Sequence, residues 1–246
     1  MTKPIALSNG RSWKNQTVAL DHFKQMLRRY GDEELVGDPM DHEDLVALLE
    51  RYDGAITGEP SKIGSGINQF FRRLNRGERF STPSFWVRRT DGSETDFSYI
   101  AAVKGQPKSE ASEFYDACRA AVAADLVAAK KRFFSENGDE NGRVRCDISG
   151  VGIDYDQARL SHAAPPFIQL VVAFRAKKQW QKEIPPGVLT MSADQQTMTQ
   201  FAAPDVALEF RKFHSSSAVL RIVDTTTSMP NYLRSTPPAC PIRLTS

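Results

Sequence analysis

The 246-residue sequence predicts an α+β fold in two domains. Three observations carry that expectation: two short amphipathic helices at the start, a period-two strand–turn–strand after them, and an Ala-rich helical region beyond a polar linker. At about 150 residues per domain the length allows one or two domains. A composition 40% hydrophobic and 25% charged excludes wholesale disorder, collagen and coiled coil.

Taken in order, Phe23, Met26, Leu27 and Tyr30 recur at helical spacing, and Leu45, Leu48, Leu49 and Tyr52 repeat the pattern behind Asp41, the expected N-cap. Residues 55–66 hold three glycines and Pro60, a turn-rich connection. Phe85, Val87 and Arg89 then alternate with Trp86, Arg88 and Thr90. Asp91-Gly92 offers a tight turn, and Thr95, Phe97 and Tyr99 alternate again, so a β-hairpin is expected here.

Lys104 to Ser109 reads as a linker, with a domain boundary at residue 106. Phe114, Ala117, Ala121, Val122, Leu126, Ala129 and Phe133 keep one apolar face of a helix that should end by Asn137-Gly138. Residues 144–153 read as a second hairpin turning at Ser149-Gly150. A helix containing Phe167, Leu170, Val171 and Phe174 is entered through Pro165 and Pro166, and another carries Val206, Phe210 and Phe213 before the apolar run 219–223. The tail, with Pro237, Pro238 and Pro241, is expected to be irregular. The expected division is therefore 1–106, a helix-rich 107–236 around a hairpin, and the tail 237–246.

No window reaches the roughly 18 to 20 apolar residues of a bilayer span, and Met1 to Gly10 lacks a signal-peptide layout. A cytoplasmic chain that does not engage membranes is expected. Three distant cysteines, Cys118, Cys146 and Cys240, suggest neither a disulfide framework nor a CxxC zinc site. A net charge of +2 says little about partners, because the placement of the charge matters more.

That placement is uneven. Arg72, Arg73, Arg76, Arg79, Arg88 and Arg89 face a single acid, Glu78, between residues 72 and 89, and Phe80, Phe85 and Trp86 are interleaved. Arginine pairs bidentately with phosphate and stacks on bases, and aromatics on a strand offer platforms for unpaired bases. The first four arginines fall in an expected loop, where binding groups often sit. The alternative is an edge strand guarded by charge with its aromatics in the core. The Lys62-Ile63-Gly64-Ser65-Gly66-Ile67 turn lacks the Gly-Lys-Ser/Thr ending of a phosphate loop, so its glycines are read as supplying positive φ.

That turn, with Phe70, the run Phe85-Trp86-Val87-Arg88-Arg89-Thr90-Asp91-Gly92-Ser93 and the run Thr95-Asp96-Phe97-Ser98-Tyr99, resembles the DCL family, named for plants with defective chloroplasts and leaves. The resemblance covers about residues 15 to 105. It implies work on or near nucleic acid, since plant members are linked to plastid ribosomal RNA maturation and a related domain ends a plant RNA polymerase subunit. No catalytic residue comes with it. Asp96-Phe97-Ser98-Tyr99 is read as structural, the rings packing and the Asp and Ser tying down backbone.

Of four histidines, His22 and His42 sit on helix faces with no catalytic reading. Ser161-His162-Ala163-Ala164-Pro165-Pro166-Phe167 follows the expected second hairpin, and Phe210 to His214, Ala218-Val219-Leu220-Arg221 and Asn231 come later. Together they resemble the HNH, or ββα-metal, nuclease pattern. Carried over, His162 would be the base, His214 an orienting or phosphate-contacting group and Asn231 a late metal ligand. The ion would be magnesium or manganese, stabilising charge on a phosphodiester. Ser161 stands where that pattern has Asp, and a neutral hydroxyl is a weak ligand for a hard cation. Asp154, Asp156 or Asp224 would have to substitute.

The expected function is nucleic-acid binding, favouring RNA or single-stranded DNA, with a degenerate HNH-like second domain. The rivals are a metal-dependent HNH-type endonuclease of phage or mobile-element type and a protein-interaction module. Oligomeric state is not encoded in any feature of the sequence.

Overall fold

The structure is a computed structural model that describes residues 4–56, 58–77, 80–191, 193, 198–227 and 237–244, with the backbone alone at 76, 77 and 80. It is α+β, and it divides into two compact units. The first comprises residues 1–109 with 191–199, and the second 110–190 with 200–246. The first break falls just after the expected boundary at 106. The expected single run 107–236 is interrupted, because residues 191–199 group with the first unit.

In the first unit a two-residue pair, β1 (Ile5–Ala6) and β2 (Ser12–Trp13), precedes α1 (Gln16–Arg29) and α2 (Pro39–Ala55). Asn15 caps α1 by accepting the Val18 N–H at 3.0 Å, and Ala19, Phe23, Met26 and Leu27 form its buried stripe. The cap of α2 is Asp38 and not Asp41: its carboxylate accepts the N–H groups of Met40 and Asp41, and Pro39 occupies the first helical turn. Asp41 lies inside the helix, where Arg29 and Tyr30 hold its carboxylate.

A three-stranded antiparallel sheet follows, in the order β3 (Ile67–Gly77), β4 (Phe80–Arg89), β5 (Glu94–Phe97), closed by the short helix α3 (Tyr99–Lys104). The expected hairpin is β4–β5, with Phe85 opposite Phe97 and Arg88 opposite Glu94. Phe70, Phe85, Val87 and Phe97 enter a core with Phe23, Met26, Leu45 and Leu48. Ser98 caps α3 by accepting the Ala101 N–H, which is the backbone-tying role read for it in the sequence.

The second unit opens with α4 (Glu110–Asn137), which ends where expected before Gly138. The β6 (Val144–Arg145) and β7 (Gly152–Ile153) pair is the predicted second hairpin. Then come β8 (Ala158–His162), α5 (Phe167–Lys177), α6 (Pro204–Ser217) and β9 (Leu220–Asp224). One feature departs from expectation. His162 does not end the β6–β7 hairpin but closes β8, whose antiparallel partner is β9, so the order is strand–helix–helix–strand. Pro165 and Pro166 stop β8 from turning back on itself, and its pairing partner returns only after two helices. The tail is not wholly irregular either: Ile242 is buried and exchanges both backbone hydrogen bonds with Leu220. The second core gathers Phe114, Val122, Leu160, Phe174, Phe210 and Ile222.

Among the described residues no helix is long and apolar enough to cross a membrane. All three cysteines are free thiols, Cys118 and Cys146 buried and Cys240 exposed.

Candidate functional site

Two places gather the predicted residues. The first is the β3–β4 pair. Pairing of β4 with β5 stops at Phe85, whereas pairing with β3 continues through Gly77 opposite Phe80. The five residues Phe80 to Ser84 and their partners therefore form a two-stranded ribbon about 17 Å long that β5 does not cover. Arg72, Arg73 and Arg76 stand on this strand and not in the loop expected for them, because the hairpin register runs almost to its tip. Arg79 and the side chain of Arg76 lie outside the described residues.

Sequence proximity made the arginines look unopposed, but folding supplies partners from far away. Arg73 donates to both carboxylate oxygens of Glu33, at 2.6 and 2.9 Å, and to Glu94 at 2.9 Å. Those carboxylates raise its pKa further, the Glu33 hydrogen bonds most of all. Arg88 pairs with Glu94 at 2.7 Å, and Arg72 lies 3.9 Å from Asp32. Burial pushes the Glu94 carboxyl up, but the Arg88 and Arg73 hydrogen bonds outweigh it and leave the group below its ordinary value.

Two members of the predicted surface are buried. Arg89 is 4% exposed, and its guanidinium donates to the carbonyls of Lys62 and Ser61 and to the Ser93 hydroxyl, all at 3.1 Å. It fixes the glycine-rich turn to the sheet instead of facing a ligand. Trp86 is 6% exposed, and its Nε1–H donates to Asn75 Oδ1 at 2.9 Å. Asn75 in turn donates to Asp96, whose carboxyl is raised by burial. The turn itself is structural: Asp53 accepts the N–H groups of Lys62 and Ile63, and Gly64 adopts φ +53°.

The second place is a histidine pair. His162, at the end of β8, and His214, in the last turn of α6, bring their Nε2 atoms to 2.8 Å. Phe167 and Phe210 wall the pair, and His214 is fully buried. Burial pushes the His214 pKa down to about 4, against a smaller opposing pull from Asp125. Its Nδ1 is buried with no hydrogen-bond partner.

The separation is that of a hydrogen bond. Two imidazoles on one tetrahedral zinc ion would stand about 3.3 Å apart. Nor do the described residues suit magnesium or manganese. Among them no three His, Cys, Asp or Glu side chains are gathered to hold an ion. Ser161 projects from the face of β8 opposite to His162, as adjacent strand residues must, so it cannot serve as a ligand beside that imidazole. Asp224 sits opposite Ala158, four residues or about 13 Å along the strand from His162, and Asp154 is bonded to Arg143. Asn231 lies outside the described residues.

His22 and His42 serve the first core: His22 bonds Asp44 at 2.9 Å, and His42 packs on Phe70. Sequence reasoning passed over Phe71, Glu33 and Glu94, which complete the arginine cluster. Only the register of β3 against β4 and against residues 33–36, and of β4 against β5, reveals them.

Comparison with known proteins adds the following. No curated protein matches the chain. The solution NMR structure of an uncharacterized protein from Rhodospirillum rubrum is similar at 35% identity, over 42% of this chain and 89% of that one, with a TM-score of 0.35. The family model described as protein of unknown function (DUF3223) matches residues 24–103. That match lies within the first unit.

Proposed function

We propose that the chain binds nucleic acid, RNA or single-stranded DNA before duplex, along the β3–β4 ribbon. The observation that carries this reading is the ribbon's extension beyond β5 with Arg72 and Arg73 at its root and Arg76 on its strand. Backbone groups and arginines on such a ribbon reach phosphates from a scaffold that is already ordered. The resemblance to the DCL family supports the same ligand class. The measurement that tests the reading is the salt dependence of affinity for labelled single strands. Four phosphate contacts give a log–log slope of roughly −3, at about 0.7 per contact. Replacing Arg72, Arg73, Arg76 and Arg79 together by Ala should weaken binding and flatten the slope. Equal affinity and slope in that variant would refute this surface.

A second reading, phosphodiester cleavage by an HNH-like second unit, is favoured by the His162–His214 contact alone. His162 would be the base and His214 would orient its ring through Nε2. The residues described do not fit the metal that such chemistry uses, so this reading ranks below binding. It predicts manganese-dependent cleavage that His162→Ala abolishes while binding persists, and purified protein that never nicks RNA or DNA would end it.

A further inference from the structure

The inner face of the first unit's sheet carries Phe70, Phe85, Val87 and Phe97 into the core. Phe71 and Trp86 stand opposite each other on the outer face, in a row with Leu35 and Asp96. Two large rings on the face turned from the core call for an explanation. Their centroids are 6.2 Å apart, and the Arg73 guanidinium lies over both, 4.7 Å from Phe71 and 4.6 Å from Trp86. Arg88 approaches Phe71 at 5.5 Å. A planar cation over two rings makes the kind of π contact that a nucleobase would make in the same place.

The roof is at the surface and is held by carboxylates. The Arg73 and Arg88 side chains are 28% and 40% exposed, and Leu35, 50% exposed, rims the platform. Glu94 bonds both arginines at once, and Glu33 grips Arg73 from the other side. This pairing explains why so arginine-rich a strand has so little unopposed charge.

We infer that Phe71 and Trp86 form a seat for one unpaired nucleobase, occupied in the free protein by Arg73 and kept closed by Glu94 and Glu33. The inference rests on the nucleic-acid reading of this unit and adds how that surface is regulated. On binding, phosphates replace the carboxylates as partners of Arg73 and Arg88, and a base replaces the guanidinium on the rings. No covalent bond changes. Binding at this seat is autoinhibited in cis, and a duplex, whose bases are already stacked, cannot release it.

The test uses the full chain and a labelled 12-nucleotide single-stranded RNA, with an abasic residue moved through each position in turn. One position should show about a tenfold loss of affinity when its base is removed. Glu94→Gln removes the carboxylate that the two arginines share, so it should tighten binding about fivefold at low salt and steepen the salt slope by about 1. If Glu94→Gln fails to fold, Glu33→Gln, at a more exposed carboxylate, should shift affinity in the same direction. Salt-dependent binding with no abasic penalty, and no tightening in a folded Glu-to-Gln variant, overturns the seat and leaves the binding proposal standing. Absence of any binding overturns both.

Discussion

The Nε2 atoms of His162 and His214 meet at 2.8 Å across 52 residues of sequence. One ring must donate the proton that the other accepts, so the contact joins the end of β8 to the last turn of α6 through a single hydrogen. His214, fully buried, has its remaining nitrogen sealed among aromatic rings. The pair thus has a packing role whatever chemistry His162 performs.

Replacement of His214 should separate packing from hydrogen bonding. His214→Ala deletes a buried ring and leaves His162 without this partner, at a cost of about 3 kcal/mol. His214→Phe keeps most of the volume and should cost less, about 1 to 2 kcal/mol. Urea denaturation would rank them; equal losses would mean that the buried ring's packing contributes nothing.

Acid should weaken the second unit through the same residue. Burial lowers the His214 pKa to about 4, below the 6.5 of an unfolded histidine, so the unfolded state binds the proton more readily. The stabilising contribution is complete above about pH 6.5 and is lost as pH falls toward 4, on the order of 3 kcal/mol in all. Stability measured from pH 7 to pH 4 should fall more steeply in the wild type than in His214→Phe. Parallel curves would contradict the assignment.

How much of this was legible depends on how far apart the partners lie. The two opening helices, the β4–β5 hairpin and α4 follow from local periodicity, and α4 ends at the predicted Asn137. The β8–β9 pairing and the Glu33–Arg73 pair leave no local trace, because each partner is set by chain that returns from tens of residues away. His162 and His214, grouped by the resemblance, do meet in space, whereas strand alternation sets Ser161 on the face opposite to His162. Arg89 looked like surface charge because composition cannot distinguish a guanidinium that holds carbonyls from one that waits for phosphate.

Gly64 provides a test of that last distinction. It adopts φ +53°, and a Cβ there would stand 2.6 Å from Arg89 Nε and 2.7 Å from its Cδ. Gly64→Ala should therefore destabilise the first unit by about 1 to 3 kcal/mol, through backbone strain and displacement of Arg89. Thermal unfolding would show it, and an unchanged melting temperature would mean that the turn tolerates the side chain.

One buried carboxylate helps to hold the tail. Asp147 pairs with Arg221 at 3.2 Å, both side chains almost wholly buried, and accepts the N–H groups of Ala239 and Cys240. Asp147→Ala leaves Arg221 without this counter-charge and should cost about 3 to 5 kcal/mol. Hydrogen exchange at the Ala239 and Ile242 amides should accelerate with it. Protected amides in the variant would show that the tail is held by other contacts.

The most direct measurement of the central claim is a salt titration of binding to labelled RNA, single-stranded DNA and duplex DNA, with manganese and with chelator, reading bound fraction and product from the same samples. Salt-sensitive binding that favours single strands is expected in both conditions, weakened and with a flatter salt slope when Arg72, Arg73, Arg76 and Arg79 become Ala. Binding absent from all three nucleic acids, or present and indifferent to salt and to those four arginines, would contradict it.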